Sequence, residues 1–162
     1  MSRLDSFIRR MEAQRLCLAF AAAAIADVPG AIFELGLGNG RTYDHLREIC
    51  PDREIFVFER KVAAHPDCIP DDAHLFEGMI DETLPEAAKR LAGQVALLHS
   101  DICSGDPLVD ARNTRLIAAE IKLAMRSGGI VLSDQAIASD GLEEVPPPDG
   151  VSNDRYFLYR VL

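Results

Sequence analysis

The stretch Ala31-Ile32-Phe33-Glu34-Leu35-Gly36-Leu37-Gly38-Asn39-Gly40-Arg41-Thr42 constrains this chain more than any other. It reads as a short strand, a glycine-rich turn and the start of a helix. The β-branched and aromatic run before the turn fits a strand covered on both faces. Three alternating glycines let the backbone turn sharply and bring its N–H groups against a ligand. Glu34 sits two places before the first glycine, at the carboxyl end of the strand. An acid in that place, beside such a turn, points to a nucleoside-type cofactor.

Length and charge narrow the setting. A chain of 162 residues is long enough for one domain with its own core. Acidic residues outnumber basic ones, 26 to 17, for a formal net charge of −9. That balance argues against a nucleic-acid backbone or an anionic membrane as the main partner. Cys17, Cys50, Cys68 and Cys103 are widely spaced, without a C-x-x-C pair, as reduced cysteines of a cytoplasmic protein would be. Leu16 to Ala26 is an apolar run with Arg9, Arg10 and Arg15 before it, which superficially resembles a secretory leader. Leu4, Phe7, Ile8 and Met11 already repeat at helical spacing ahead of it, so residues 3–27 read as one helix, ended by Pro29-Gly30.

The remaining chain alternates strand and helix. After a helix over Thr42 to Cys50, Ile55-Phe56-Val57-Phe58 forms a second strand closing on Glu59. Residues 60–73 carry only a weak helical signal, and Ala73 to Gly78 reads as a third strand. Thr83 is placed as the cap of a short helix, with Pro85 near its start and Gly93 past its end. Val95 to Leu98 is a fourth strand, leading to His99-Ser100-Asp101. A long helix from about Leu108 to Arg126 follows, with Leu116, Ile117, Ile121 and Leu123 as buried candidates and Gly128 as its stop. Gly129 to Leu132 is a fifth strand, ending at Ser133-Asp134-Gln135. Leu142 to Val145 and Tyr156 to Val161 add two strands in succession around a proline-rich loop. The expected fold is α/β: a Rossmann-like, doubly wound, mostly parallel sheet of about seven strands with an antiparallel C-terminal strand. One domain over 1–162 is expected, with an N-terminal helix (1–28), a cofactor-binding core (31–135) and C-terminal loop and strands (136–162).

In an open α/β sheet, ligands bind beyond the carboxyl ends of the strands. Here those ends carry Glu34 with its glycines, Glu59, Gly78-Met79, His99-Ser100-Asp101 and Ser133-Asp134-Gln135. Glu59 lies 23 residues after Gly36, a distance suited to a carboxylate that bonds a ribose diol. Its two oxygens can accept from two adjacent hydroxyls. The dinucleotide fingerprint G-x-G-x-x-G/A needs a small third residue for close helix packing, and here Arg41 stands there. A pyrophosphate also has no use for an acid at Glu34, whereas a ligand with an amino group does.

At this point E-L-G-x-G-x-G, the acid ending the second strand and G-G-I-V-L-S-D on the fifth resemble the class I S-adenosylmethionine-dependent methyltransferases. The resemblance runs from about Ala31 to Leu162, and E-L-G-L-G-N-G-R-T-Y-D-H-L-R-E resembles a small bacterial group of unassigned substrate. It implies that Glu34, Gly36, Leu37, Gly38, Gly40 and Thr42 surround the methionine part of the cofactor. Glu59, with Arg60 beside it, would hold the ribose. Gly78, Met79 and Ile80 would meet the adenine, although Met79 stands where relatives often carry an Asp. Ser100 and Asp101 would lie near the sulfonium.

Methyl transfer from a sulfonium is an in-line displacement that depends mainly on positioning, with a base needed where the nucleophile carries a proton. Asp101, Asp134 and His99 are the candidates for that base. L-L-H-S-D and V-L-S-D-Q also resemble the metal-assisted O-methyltransferases, so Asp101, Asp134 and Gln135 are considered as Mg²⁺ ligands. A zinc site at His65, Cys68 and His74 lacks a fourth ligand and is set aside. The expected activity is methyl transfer to a small molecule, without nucleic acid or membrane as partner. The little chain left over for a lid suggests a homo-oligomer. A nicotinamide-dependent oxidoreductase and a non-catalytic S-adenosylmethionine-binding protein are the alternatives.

Overall fold

A computed structural model describes residues 2–162. Strands β1 (Ala31–Leu35), β2 (Ile55–Glu59), β3 (Leu75–Glu77), β4 (Val95–Ser100), β5 (Met125–Ser133), β6 (Leu142–Val145) and β7 (Phe157–Val161) form one sheet in the order β3-β2-β1-β4-β5-β7-β6. Only β7 runs antiparallel to its neighbours, inserted between β5 and β6. This is the expected α/β architecture with its antiparallel C-terminal strand. The strand order reverses between β1 and β4, so the carboxyl ends of these two strands flank the crevice where such sheets take ligands.

Two layers of helices cover the sheet. Helices α1 (Arg3–Ala24) and α2 (Arg41–Ile49) lie on one face; α3 (Ile80–Arg90) and α4 (Pro107–Ala124) pack together on the other. Ile32, Leu97, Ile130 and Leu132 belong to the core beneath α1 and α2, whereas Phe33, Leu35, Leu98 and Val131 belong to the opposite core. Since side chains alternate along a strand, Glu34, His99 and Asp134 share the α1 face with Ile32, Leu97 and Leu132. The fold thereby gathers the polar strand ends beneath one helix.

Several local expectations are corrected. Residues 60–73 hold only a 3₁₀ turn at Pro66–Cys68. Thr83 is not a cap: α3 starts three residues earlier, after Met79, and the Thr83 hydroxyl donates to the Met79 carbonyl. Helix α4 ends at Ala124 and leaves Leu123 exposed, while Ile117 and Ile121 fill the core. It begins where Asp106 accepts from the Leu108 and Val109 amides, with Pro107 in the first turn, where no amide hydrogen is missed. Strand β4 extends through Ser100, so His99 and Ser100 are buried ladder residues and the chain emerges only at Asp101.

Candidate functional site

The site is assembled where β1, β4 and β5 end side by side. The Asp101 amide donates to the Leu35 carbonyl and the Asp134 amide to the Ser100 carbonyl, both at 3.1 Å. Gly36 makes this approach feasible: a Cβ there would lie 2.8 Å from the Ile102 Cγ2 and 3.0 Å from the Asp101 carbonyl. Gly38 differs, because a Cβ there would meet nothing among the described residues, while its φ of +51° disfavours any side chain. Its outer surface is open space against which a ligand fits. Beside this loop lies a cleft of about 280 Å³, bounded by Gly36–Asn39, Arg41 and Thr42 on one side and by Asp101, Cys103 and Asp134 on the other. Helix α1 closes it with Arg10, Met11 and Gln14.

The acidic strand ends have different fates. Glu34 is completely buried. One oxygen accepts from the Thr42 hydroxyl and the other lies 2.6 Å from the Nδ1 of His99, itself completely buried. Burial disfavours the imidazolium, but the Glu34 carboxylate outweighs it and holds His99 above the ordinary histidine range. Glu34 and His99 therefore stand behind the cleft, joined to each other, rather than lining it. Among the described residues, the Nε2 of His99 has no partner.

Asp101 and Asp134 reach the cleft. Asp101 Oδ2 accepts from Gln14 Nε2 at 2.8 Å and lies 3.9 Å from the Arg10 guanidinium. Asp134 Oδ2 accepts from the Cys103 amide at 3.0 Å, while its Oδ1 is buried without a partner among the described residues. Burial pushes the Asp134 carboxyl up to about 6; the Cys103 amide opposes this and the neighbouring Asp101 charge adds to it.

The remaining expected contacts divide in the same way. Glu59 stands at the loop: one oxygen accepts from the Leu37 and Gly38 amides at 3.0 and 3.1 Å, the other from the Lys61 amide at 3.2 Å. The ends of β2 and β3 are joined through the Gly78 amide and the Glu59 carbonyl. Met79 is exposed and Ile80 half-buried beside them, at the start of α3. Arg60 is exposed, and Ser100 is buried on the sheet face opposite Asp101. The three oxygen ligands considered for Mg²⁺ are not brought together. Gln135 turns its amide back onto the Asp134 carbonyl and does not line the cleft shared by the two aspartates. No group of three or more His, Cys, Asp or Glu among the described residues is placed to hold a metal ion. The residues present do not fit the metal expectation.

Sequence reasoning missed Arg10, Gln14 and Arg41. Gln14 carried a signal: it is a polar residue in the helical stripe Cys17, Leu18, Ala21 that packs on the sheet, and it is 5% exposed. A buried amide needs a partner, and here the partner is Asp101.

Comparison with known proteins agrees with this geometry. An S-adenosyl-L-methionine methyltransferase from Silicibacter pomeroyi DSS-3 is 45% identical, with 99% of each chain covered and a TM-score of 0.91. More distant likenesses show the fold alone. The antibiotic-resistance methyltransferase Kmr is 13% identical over 86% of this chain and 90% of its own (TM-score 0.55). A DUF574 family protein from Streptomyces avermitilis MA-4680 is 12% identical over 94% and 84% (TM-score 0.55). No curated protein matches the sequence. The glycine loop, the Glu59 position and the strand order are in keeping with such a protein, and over residues 1–161 the chain matches the family model described as S-adenosyl-L-methionine methyltransferase and belongs to that family.

Proposed function

We propose that this methyltransferase acts on a small molecule whose acceptor atom is an oxygen or nitrogen bearing a proton, with Asp134 as the base. S-Adenosylmethionine, when bound, supplies a methyl group that leaves with the C–S electron pair returning to sulfur. The chain's own residues then have two tasks: holding the reactants in line and taking the acceptor's proton onto the Asp134 carboxylate. The observation that carries this reading is the Asp134 Oδ1, buried at the cleft with no partner while its sister oxygen is held by the Cys103 amide. A carboxylate with one fixed and one free oxygen is oriented and still able to accept a proton. Its raised pKa makes it a stronger base than an ordinary carboxylate. Asp101 is the weaker candidate, because Gln14 and Arg10 already engage its Oδ2.

Glu59 is assigned to the ribose diol because it accepts from the glycine-loop amides, and Met79 and Ile80 to the adenine because they follow Gly78, whose amide donates to the Glu59 carbonyl. Glu34, Thr42 and His99 are assigned to holding the loop and β4 together from behind. Free cysteines are in keeping with a cytoplasmic protein, and no helix among the described residues is long and apolar enough to cross a membrane. The apolar residues Leu4, Phe7 and Ile8, exposed on α1, support a homo-oligomer, which light scattering would test.

The main experiment is a thermal-shift series with S-adenosylmethionine and S-adenosylhomocysteine, followed by detection of S-adenosylhomocysteine release across a panel of hydroxyl and amine acceptors. A ligand that binds only the folded state must raise Tm. No shift with either nucleoside sinks the reading. Release only with acceptors lacking an ionisable proton sinks the role of Asp134.

A further inference from the structure

The structure leaves the amino-acid end of the methyl donor without its expected partner, since Glu34 is completely buried and both its oxygens are engaged. An α-amino-acid group carries an ammonium and a carboxylate on one carbon. It is best met by an anion and a cation side by side, and by two opposite charges that are near but not bonded to each other.

The cleft contains such a pair. The Arg10 guanidinium and the Asp101 carboxylate are 3.9 Å apart, too far for a hydrogen bond. They nevertheless both line the cleft that the glycine loop borders. Arg10 is about half exposed, so most of its five N–H donors are available. Asp101 is held in place by Gln14, a buried amide from the next turn of the same helix, which engages Oδ2. The spacing of Arg10 and Gln14 by four residues sets both on one face of α1. The Gly36 contact with the Asp101 backbone fixes that acid against the loop from the other side. Arg41 also borders the cleft, but its guanidinium lies 5.9 Å over the Phe7 ring, along α1.

We infer that Arg10 and Asp101, with Gln14 orienting the acid, form the subsite for the amino-acid end of the donor: Arg10 binds the carboxylate and Asp101 the ammonium. This rests on the proposed donor reading, and it makes α1 part of the binding site instead of packing alone. It also separates the two aspartates by task, since Asp101 holds the donor while Asp134 faces the acceptor.

Calorimetry with two ligands tests the assignment on the full chain. S-Adenosylhomocysteine has the amino-acid end; 5′-deoxy-5′-methylthioadenosine keeps the nucleoside and lacks it. Arg10→Gln and Asp101→Asn are each expected to weaken S-adenosylhomocysteine about tenfold or more, as loss of a charge-assisted contact does, and to leave methylthioadenosine within about twofold. The decarboxylated donor is expected to respond to Asp101→Asn and not to Arg10→Gln. Equal losses for both nucleosides, or no loss for S-adenosylhomocysteine, overturn the inference. Failure of both nucleosides to bind the unaltered protein overturns the donor reading instead. Unfolding curves without ligand check that the variants are folded.

Discussion

Two polar clusters lie on the same face of the sheet, one step apart. In the inner one the Glu34–His99 ion pair is completely buried, and Thr42 links it to the rim of the cleft. The outer one, Asp101 and Asp134 with Arg10 and Gln14, opens to the cleft. His99 and Asp101 are two residues apart, which is one full repeat of the strand and about 6.6 Å of rise. That displacement converts a histidine locked to a glutamate into an aspartate available to a ligand. The comparison teaches that at a sheet edge the residue's depth along the strand, as much as its identity, decides whether it braces the fold or reaches the cleft.

The contrast can be broken at either cluster. The largest effect is expected from Asp134→Asn, which should lower kcat by about 100-fold or more while S-adenosylhomocysteine still binds by calorimetry. The unaltered enzyme should likewise lose activity as pH falls through about 6, where Asp134 takes up its proton. Unchanged kcat in the variant would remove Asp134 from the chemistry. At the inner cluster, Glu34→Leu leaves buried His99 without its counter-charge and should cost about 3–5 kcal/mol in urea unfolding, with Glu34→Gln recovering part of it. A small loss there would mean that the pair is neutral and dispensable.

Smaller effects sharpen the division. Glu59→Gln should weaken S-adenosylhomocysteine and methylthioadenosine alike, about tenfold, because a ribose contact does not distinguish them. This is the opposite pattern to that expected of Arg10. Finally, Asp134 is a site where folding raises a carboxyl pKa, from 3.8 to about 6. The native state binds more protons than the unfolded chain in that window, so stability falls as pH rises through it. Asp134→Asn should therefore raise the unfolding free energy at pH 8 by about 1–2 kcal/mol, measured against the same variant at pH 4, where the gain should vanish.

Much of the architecture was legible beforehand. The alternation of apolar strands with helical periods led to the parallel sheet, and the two closing strands led to the antiparallel insertion. The limits of elements were less legible where local signals conflict. Thr83 looks like a cap only because Pro85 follows it, whereas α3 draws its start from the turn at Met79 and carries the proline inside. Leu123 is apolar but lies off the stripe Ile117, Ile121 and Ala124 that packs inward, and it stays exposed.

For the site, the residues contiguous with the glycine turn were within reach of sequence reasoning, because strand, turn and helix are consecutive and their chemistry is local. From residues alone, Glu34 before the glycines, Arg41 in the packing position and Glu59 on the next strand together favour S-adenosylmethionine over a dinucleotide. What only the tertiary structure decided was which acids line the cleft. Glu34 and Asp134 are equivalent in sequence, each an acid at a strand end. Their difference is set by what lies beside them: His99 on the adjacent strand for one, the lining of the cleft for the other. Gln14 and Asp101 meet across 87 positions of sequence, and no local pattern encodes a contact that exists only once α1 has docked on the sheet.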